Sequence, residues 1–180
     1  MPGIEIVVLR YGHRRERDYR VTTHCCLVAR ALGAKKIIIE GDEDESIKES
    51  VAGVVNNWGG KFSVEFTKSW RRTLGEHKNK GFFAVHLTMY GLQLQKEIRK
   101  LRKKRKIVLI IGSQKVPGEV YRESDANISV TSQPHSEIAA LAIALDRLQN
   151  GKELGKRFWR AKIEITPQKC GKIVRKLGRK

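Results

Sequence analysis

Short apolar runs rich in β-branched or aromatic side chains recur along the chain at Ile4–Leu9, Lys36–Glu40, Lys61–Thr67, Phe82–Leu87, Ile107–Ile111 and Asn127–Val130. Bounded by turn residues, these six runs predict buried strands. Between most of them the apolar spacing becomes helical, which predicts helices over Thr22–Leu32, Ser46–Trp58, Thr88–Arg102 and Ser136–Gln149. Thr22 or Thr23 is placed to cap the first helix and Gly33 to close it, while Ser46 with Glu49 makes a capping box for the second. In the last, Ile138, Leu141, Ala142, Leu145 and Leu148 form one apolar stripe that ends at Asn150-Gly151. Strands alternating with helices predict an α/β fold, a parallel sheet flanked by helices, with ligands beyond the carboxyl ends of the strands.

After Gly151 the period changes to two. Trp159, Ala161, Ile163 and Ile165 alternate with Arg160, Lys162 and Glu164, so Phe158–Ile165 reads as a half-exposed strand. Turn residues over Thr166–Gly171 and a second run at Lys172–Val174 make this a β-hairpin with a basic tail. No repeat or linker divides the chain, which reads as a single domain: an α/β core over 1–150 and a hairpin with tail over 151–180.

Composition adds the nature of the partner. A chain of 180 residues that is 40% hydrophobic can build a core, which excludes disorder as its default state. Lys and Arg number 37 against 19 Asp and Glu, a net charge of +18 that points to a polyanion. Lys96–Lys106 holds eight basic residues and one acid, and Lys169–Lys180 holds six basic residues and no acid. Two such clusters suit phosphate-backbone binding, with Arg99, Arg102 and Lys103 as named contacts in the first. Aromatic residues make up only 7% of the chain, which favours reading structured RNA by shape over stacking along a single strand. No run approaches the roughly 18 apolar residues of a membrane span, and MPGIEIVVLR lacks the flank and length of a secretory signal. Three cysteines, two of them adjacent at Cys25 and Cys26, make no disulfide framework, so a reduced cytoplasmic setting is expected.

Three loops carry candidate chemistry. The basic stretch Gly12–Arg20 follows the first strand and stands at its carboxyl end, where Arg10, His13 and Arg14 can contact RNA phosphate or ribose. Ile110–Gly118 is a strand end followed by a glycine-bearing turn, and Gly112 there permits close approach of a ligand to the backbone. Val130–Glu137 is a polar turn between a strand and a helix. Neither is a phosphate-binding P-loop or a GxGxxG turn, which removes support for kinases, ATPases and ordinary dinucleotide oxidoreductases. His24, His77, His86 and His135 lack metal-ligand spacing, and Ser136 is outside a GxSxG elbow. No metal is expected.

Taken together, LRYGHRRERDYRVTTHCCLVARALGA at Leu9–Ala34, IIGSQKVPGEVY at Ile110–Tyr121 and SVTSQPHSEIAALAIALDRL at Ser129–Leu148 resemble the archaeal tRNA ribose 2′-O-methyltransferases of the SPOUT class that act on cytidine 56 of the T-loop. The resemblance implies a C-terminal trefoil knot, a homodimer, tRNA as substrate and S-adenosylmethionine as cofactor. It places the cofactor among Leu87, Gly112, Ser113, Gln114, Lys115 and Val116 and the loop Val130, Thr131, Ser132, Gln133, Pro134, His135, Ser136 and Glu137. Ser136 matches the serine that opens the last knot helix in that class. The helix arginine six residues before a glycine, usual among relatives acting on ribose, is absent: Leu27 stands six before Gly33 and Arg30 three before. Arg10, Arg14, Arg17, Arg20 and Arg30 all stay open for that role, with Arg17 and Arg20 preferred and Ser136 assigned to orientation. The competing class is a non-catalytic protein that binds structured RNA, which the charge supports equally well.

Overall fold

A computed structural model describes residues 3–112 and 115–178. Six strands, β1 (Glu5–His13), β2 (Lys36–Gly41), β3 (Ser63–Thr67), β4 (Phe83–Gln93), β5 (Lys106–Gly112) and β6 (Ala126–Ser129), form a sheet in the order β3-β2-β1-β5-β4-β6. Every pairing in it is parallel. The helices are α1 (Arg15–Ala31), α2 (Glu45–Trp58), α3 (Trp70–Asn79), α4 (Leu94–Leu101), α5 (Gly118–Glu123) and α6 (Glu137–Gln149), and the chain closes with an antiparallel pair, β7 (Ile163–Thr166) and β8 (Ile173–Lys176). Alternate residues of each strand face opposite layers. Ile6, Val8, Ile37, Ile39, Leu109 and Ile111 join the core under α1, α2, α4 and α6, whereas Val7, Leu9, Ile38, Val108 and Ile110 pack with Leu74 of α3 and Val120 of α5. Burial on both faces explains why the strands read as unbroken apolar runs. No helix among the described residues is long and apolar enough to cross a membrane.

The predicted strands are present, and the helix boundaries need correction. The first helix starts at Arg15 rather than at Thr22, so most of the basic stretch Gly12–Arg20, expected as a loop, is helical. Arg14 is its cap residue, and Asp18 one turn on accepts hydrogen bonds from the Arg14 backbone N–H and Nε, both at 3.0 Å. Exposed charged residues fill those first turns, which hides the apolar period. Asp44, not Ser46, caps α2, its Oδ1 accepting from the Ser46 N–H at 3.1 Å. Thr88–Arg102 is not one helix, because β4 runs on to Gln93. Leu87 and Leu92 both stand in register with Ile128, so the four residues between them bulge out of the ladder. Gly91 permits this, since a Cβ there would come within 2.5 Å of the Asn127 and Ile128 backbone.

Two helices escaped the sequence pattern. In α3 the buried side is only Thr73, Leu74 and His77, and α5 buries a single residue, Val120, so neither shows a sustained stripe. The hairpin forms, but β7 begins at Ile163 instead of Phe158. Residues 159–162 pair instead with the end of α2 and the turn after it: Gly60 N–H donates to the Trp159 carbonyl and Lys162 N–H to the Asn57 carbonyl.

Candidate active site

Strands β1, β5 and β4 lie side by side, so their carboxyl ends converge with the start of α6. There a cleft of about 280 Å³ is lined by residues 86–90, Ile111, Gly112, Val116, Tyr121, His135, Glu137 and Ala140. Its wall is braced by side chains. His86 Nδ1 is 2.9 Å from Asn127 Oδ1, its ring meets Tyr121 edge-on at 4.6 Å, and the Tyr121 hydroxyl lies 3.0 Å from Thr88 Oγ1. Burial pushes the His86 imidazole below its ordinary pKa, opposed by the Asn127 contact, so it works as a neutral spacer. At Gly112 a Cβ would meet the Val116 methyl at 2.0 Å, so the bare Cα is what lets Val116 fold back over the strand end.

Beneath the cleft lies a buried ion pair. Arg10 of β1 has no exposed surface and donates from Nε and Nη2 to Glu137 Oε1, at 3.1 and 2.8 Å, joining residues 127 positions apart. Burial pushes the Glu137 carboxyl above its ordinary pKa, while the Arg10 guanidinium draws it down. Arg10 Nη1 is buried with no hydrogen-bond partner among the described residues, as is Nε2 of His13. His13 is 2% exposed and its Nδ1 lies 2.8 Å from Thr22 Oγ1. Arg10 and His13 were expected to contact RNA. Their burial removes them from any phosphate surface, and they tie β1 to α6 and α1 instead.

The remaining basic residues of this edge sit on the first turns of α1. Asp18 is held below its ordinary pKa; burial works to raise it, but hydrogen bonds from Arg14 and the nearby charges of Arg14 and Arg10 prevail. The Arg17 and Arg20 side chains are exposed and make no ion pair or hydrogen bond among the described residues. Cations at the positive end of a helix oppose its dipole. Arg15, Arg17 and Arg20 keep that position beside Glu16, Asp18 and Asp42, whose carboxylate accepts from the Arg15 N–H at 3.1 Å, so the cations of this end face solvent around a helix start that already has an acid on it. Arg30 lies at the other end of α1, about 22 Å away at 1.5 Å per residue. There its Nη2 donates to the Gly59 carbonyl at 2.7 Å, which takes it out of the catalytic candidates.

Among the residues expected to hold a cofactor, the fold gathers Leu87, Gly112, Val116, His135 and Glu137 around the cleft. Ser136 caps α6, its Oγ accepting from the Ala139 N–H at 3.2 Å, which leaves the hydroxyl proton to donate elsewhere. Lys115, Thr131, Ser132, Gln133 and Pro134 are exposed and do not line it. Val130 is buried and borders a groove between α4 and α6. Ser113 and Gln114, and the last two residues of the basic tail, fall outside the described residues. Of the RNA candidates on α4 and just beyond, Arg99 and Lys103 are exposed, while Arg102 is committed to the Arg147 carbonyl at the end of α6. Thr88, Met89, Tyr90 and Tyr121 line the cleft and were missed. The signal lay in Thr88-Met89-Tyr90-Gly91, a polar-aromatic stretch ending in glycine directly after a strand, which had been read as helix.

Residues 58–175 match the family described as tRNA ribose 2′-O-methyltransferase, aTrm56. The tRNA (cytidine(56)-2′-O)-methyltransferase of Methanopyrus kandleri is 52% identical over 171 residues, covering 95% of this chain and 96% of that protein. The enzyme of the same name from Thermococcus kodakarensis is 52% identical over 176 residues, with 96% and 97% covered. Among solved structures, the TrmH/SpoU tRNA modifying enzyme of A. aeolicus aligns with a TM-score of 0.60 at 17% identity, over 83% of this chain and 76% of that one. The SpoU methyltransferase AviRb from Streptomyces viridochromogenes, in complex with AdoMet, aligns with a TM-score of 0.60 at 14% identity, and this chain spans 59% of its length. The structural likenesses concern the fold, and the sequence relatives settle the lineage: this chain belongs to the family of archaeal tRNA ribose 2′-O-methyltransferases.

Proposed function

We propose that the protein transfers a methyl group from S-adenosylmethionine to the ribose 2′-oxygen of cytidine 56 in tRNA. The observation that carries this reading is the convergence of residues 86–90, Gly112, Val116 and the start of α6 on one cleft, in a chain of this family. The residues fit the cofactor. The cleft is close to the 300 Å³ lower bound of small-molecule sites, and the bare Cα of Gly112 makes room that a side chain would fill. Gly112, Val116, Leu87 and His135 would hold it. When bound, S-adenosylmethionine supplies a methyl group already activated on a sulfonium.

The chain's own residues then have positioning as their main task, because transfer needs the 2′-oxygen in line with that methyl. Arg10 fixes Glu137 and hence the first turn of α6, which sets the direction of the Ser136 hydroxyl. That hydroxyl donates to the ribose or to the methionyl group. Arg17 and Arg20 take the phosphates beside the target nucleotide and stabilise negative charge developing on its 2′-oxygen. They act as fixed charges aimed at the developing negative charge.

Assembly follows from the surface of α6. Ala140 and Ala144 face the core, whereas Ala139, Ala142 and the 46%-exposed Ile143 face outward beside a groove of about 810 Å³ against α4. This supports a homodimer through α6. The trefoil knot, a topology rare enough to need a specific threading, comes with the family, and the register shift that sets both Leu87 and Leu92 opposite Ile128 is an irregularity compatible with it. Unpaired thiols at Cys25, Cys26 and Cys170 support a cytoplasmic setting. The test is transfer of labelled methyl to an unmodified tRNA transcript. We expect incorporation that vanishes when position 56 carries a 2′-deoxycytidine. Incorporation that persists with that substitution, or none with any tRNA, overturns the reading.

A further inference from the structure

The amino edge of the sheet, opposite the cleft, carries a second concavity. It measures about 900 Å³ and runs between the end of α2, the Gly59-Gly60 turn and the strand-like segment before β7. Lys61, Trp159, Arg160 and Lys162 line it, and no carboxylate does so among the described residues. Trp159 is 59% exposed. The Arg160 guanidinium stacks on its ring at 4.0 Å and Lys61 Nζ lies 5.5 Å from the ring centroid.

This arrangement is built rather than incidental. Arg160 is held at φ 61°, a conformation costly for a residue with a side chain. The cause is local: a Cβ on Gly59 would come within 2.5 Å of the Trp159 carbonyl and the Ala161 nitrogen, so the glycine turn and the backbone of 159–161 are pressed together. Arg30 and Asn57 fasten the contact from the other side, through the Gly59 carbonyl and the Lys162 N–H. Strain retained to present an arginine on a tryptophan points to a use for that pair.

We propose that this cleft is a second tRNA-binding site, in which an unpaired base of the substrate stacks on the Trp159–Arg160 pair while its phosphate sits between Lys61 and Lys162. The inference rests on tRNA being the substrate. An exposed aromatic ring with a planar cation on it offers splayed bases a stacking platform, and lysines beside it meet the backbone. A second copy of this chain is a poor occupant, because a two-fold contact would set the same cations against each other. The cleft lies at the far end of α2 from the carboxyl edge, about 21 Å by helix rise, so it grips the tRNA away from the target ribose.

The test uses full-length protein and unmodified tRNA transcript. Trp159→Ala should raise the KM for tRNA about tenfold, on the scale of one lost base stack, with single-turnover rate at saturating tRNA and S-adenosylmethionine affinity unchanged. Trp159→Phe should retain most of the affinity. Arg160→Gly suits the positive φ, so it should keep or raise the melting temperature while weakening tRNA binding. In a Trp58→Phe, Trp70→Phe background, the remaining Trp159 fluorescence should be quenched by tRNA. Unchanged KM in both Trp159→Ala and Arg160→Gly, or no quenching at saturation, overturns the proposal. A change in oligomeric state on Trp159→Ala also overturns it, by assigning the cleft to self-association. Loss of methyl transfer in the unaltered protein would count against the function proposed above and not against this site.

Discussion

Arg10 at the carboxyl edge of the sheet and the exposed lysines and arginines at its amino edge are held in opposite ways. At the carboxyl edge Arg10 is fully buried, bonded to a glutamate 127 positions away, and part of the scaffold of a cleft. At the amino edge the basic side chains of Lys103–Arg105, Lys61 and Arg160 stand in solvent. A buried charge enforces one geometry, because removing its partner leaves it uncompensated in a poor solvent. An exposed cluster enforces none, and contributes long-range attraction that salt weakens. Chemistry that needs alignment therefore belongs at the first edge, and grip on a long polyanion at the second.

The sharpest way to break this contrast is Arg10→Ala. Leaving Glu137 unpaired should destabilise the protein by about 3 to 5 kcal/mol, read by denaturant unfolding. Replacing both partners, Arg10→Met with Glu137→Leu, should recover most of that stability while methyl transfer stays low, since the start of α6 is no longer held by direction-specific bonds. Recovery of activity along with stability would show the pair to be packing alone.

A somewhat smaller effect is expected on the surface of the same edge. Arg17→Ala and Arg20→Ala should each slow single-turnover methyl transfer roughly 10²-fold, with modest change in tRNA affinity and none in cofactor affinity. Retention of the chemical rate by both would move the reaction away from α1. Gly112→Val should weaken S-adenosylmethionine binding at least about tenfold by displacing Val116 into the cleft, which titration calorimetry on the folded variant measures. At the opposite edge, replacing Lys103, Lys104 and Arg105 with Gln should leave the rate at saturating tRNA intact. It should lower the slope of log affinity against log salt by about 2 to 3.

The smallest effect is on acid stability. His13 and His86 are both held below the ordinary 6.5, chiefly by burial, so just below that value the unfolded chain binds more protons than the folded one. Stability then falls as pH drops through 6.5. Glu137, raised by burial, acts in the opposite sense between its shifted value and the ordinary 4.5. Melting temperatures at pH 7.5 and 5.5 should therefore converge in a His86→Gln variant, and an unchanged gap would argue against the buried neutral histidine.

How far the sequence carried the site depended on the range of the interactions. Gly112 and His135 stand out in the sequence because a strand end followed by a turn is a local pattern, and the parallel topology alone sends such ends to one edge, whereas Leu87 came only with the family resemblance; all three line the cleft. Thr88 and Tyr90 were missed because the continuation of β4 past Leu87 is fixed by β6, more than thirty residues later, and nothing in their own neighbourhood announces it. Arg10 was misread for the same reason: in a stretch of exposed cations it looks like one more, and only the arrival of α6 buries it.

The sequence by itself determined the alternation of strands and helices, the parallel sheet, the terminal hairpin and the preference for a polyanion, since apolar period and net charge are properties of neighbouring residues. The tertiary structure decided which arginines are buried and which face solvent, where α1 and β4 begin and end, and that residues 86–90, Gly112 and Glu137 share one cleft. Those outcomes rest on contacts between residues far apart in the chain, whose partners exist only once the sheet has closed over its helices.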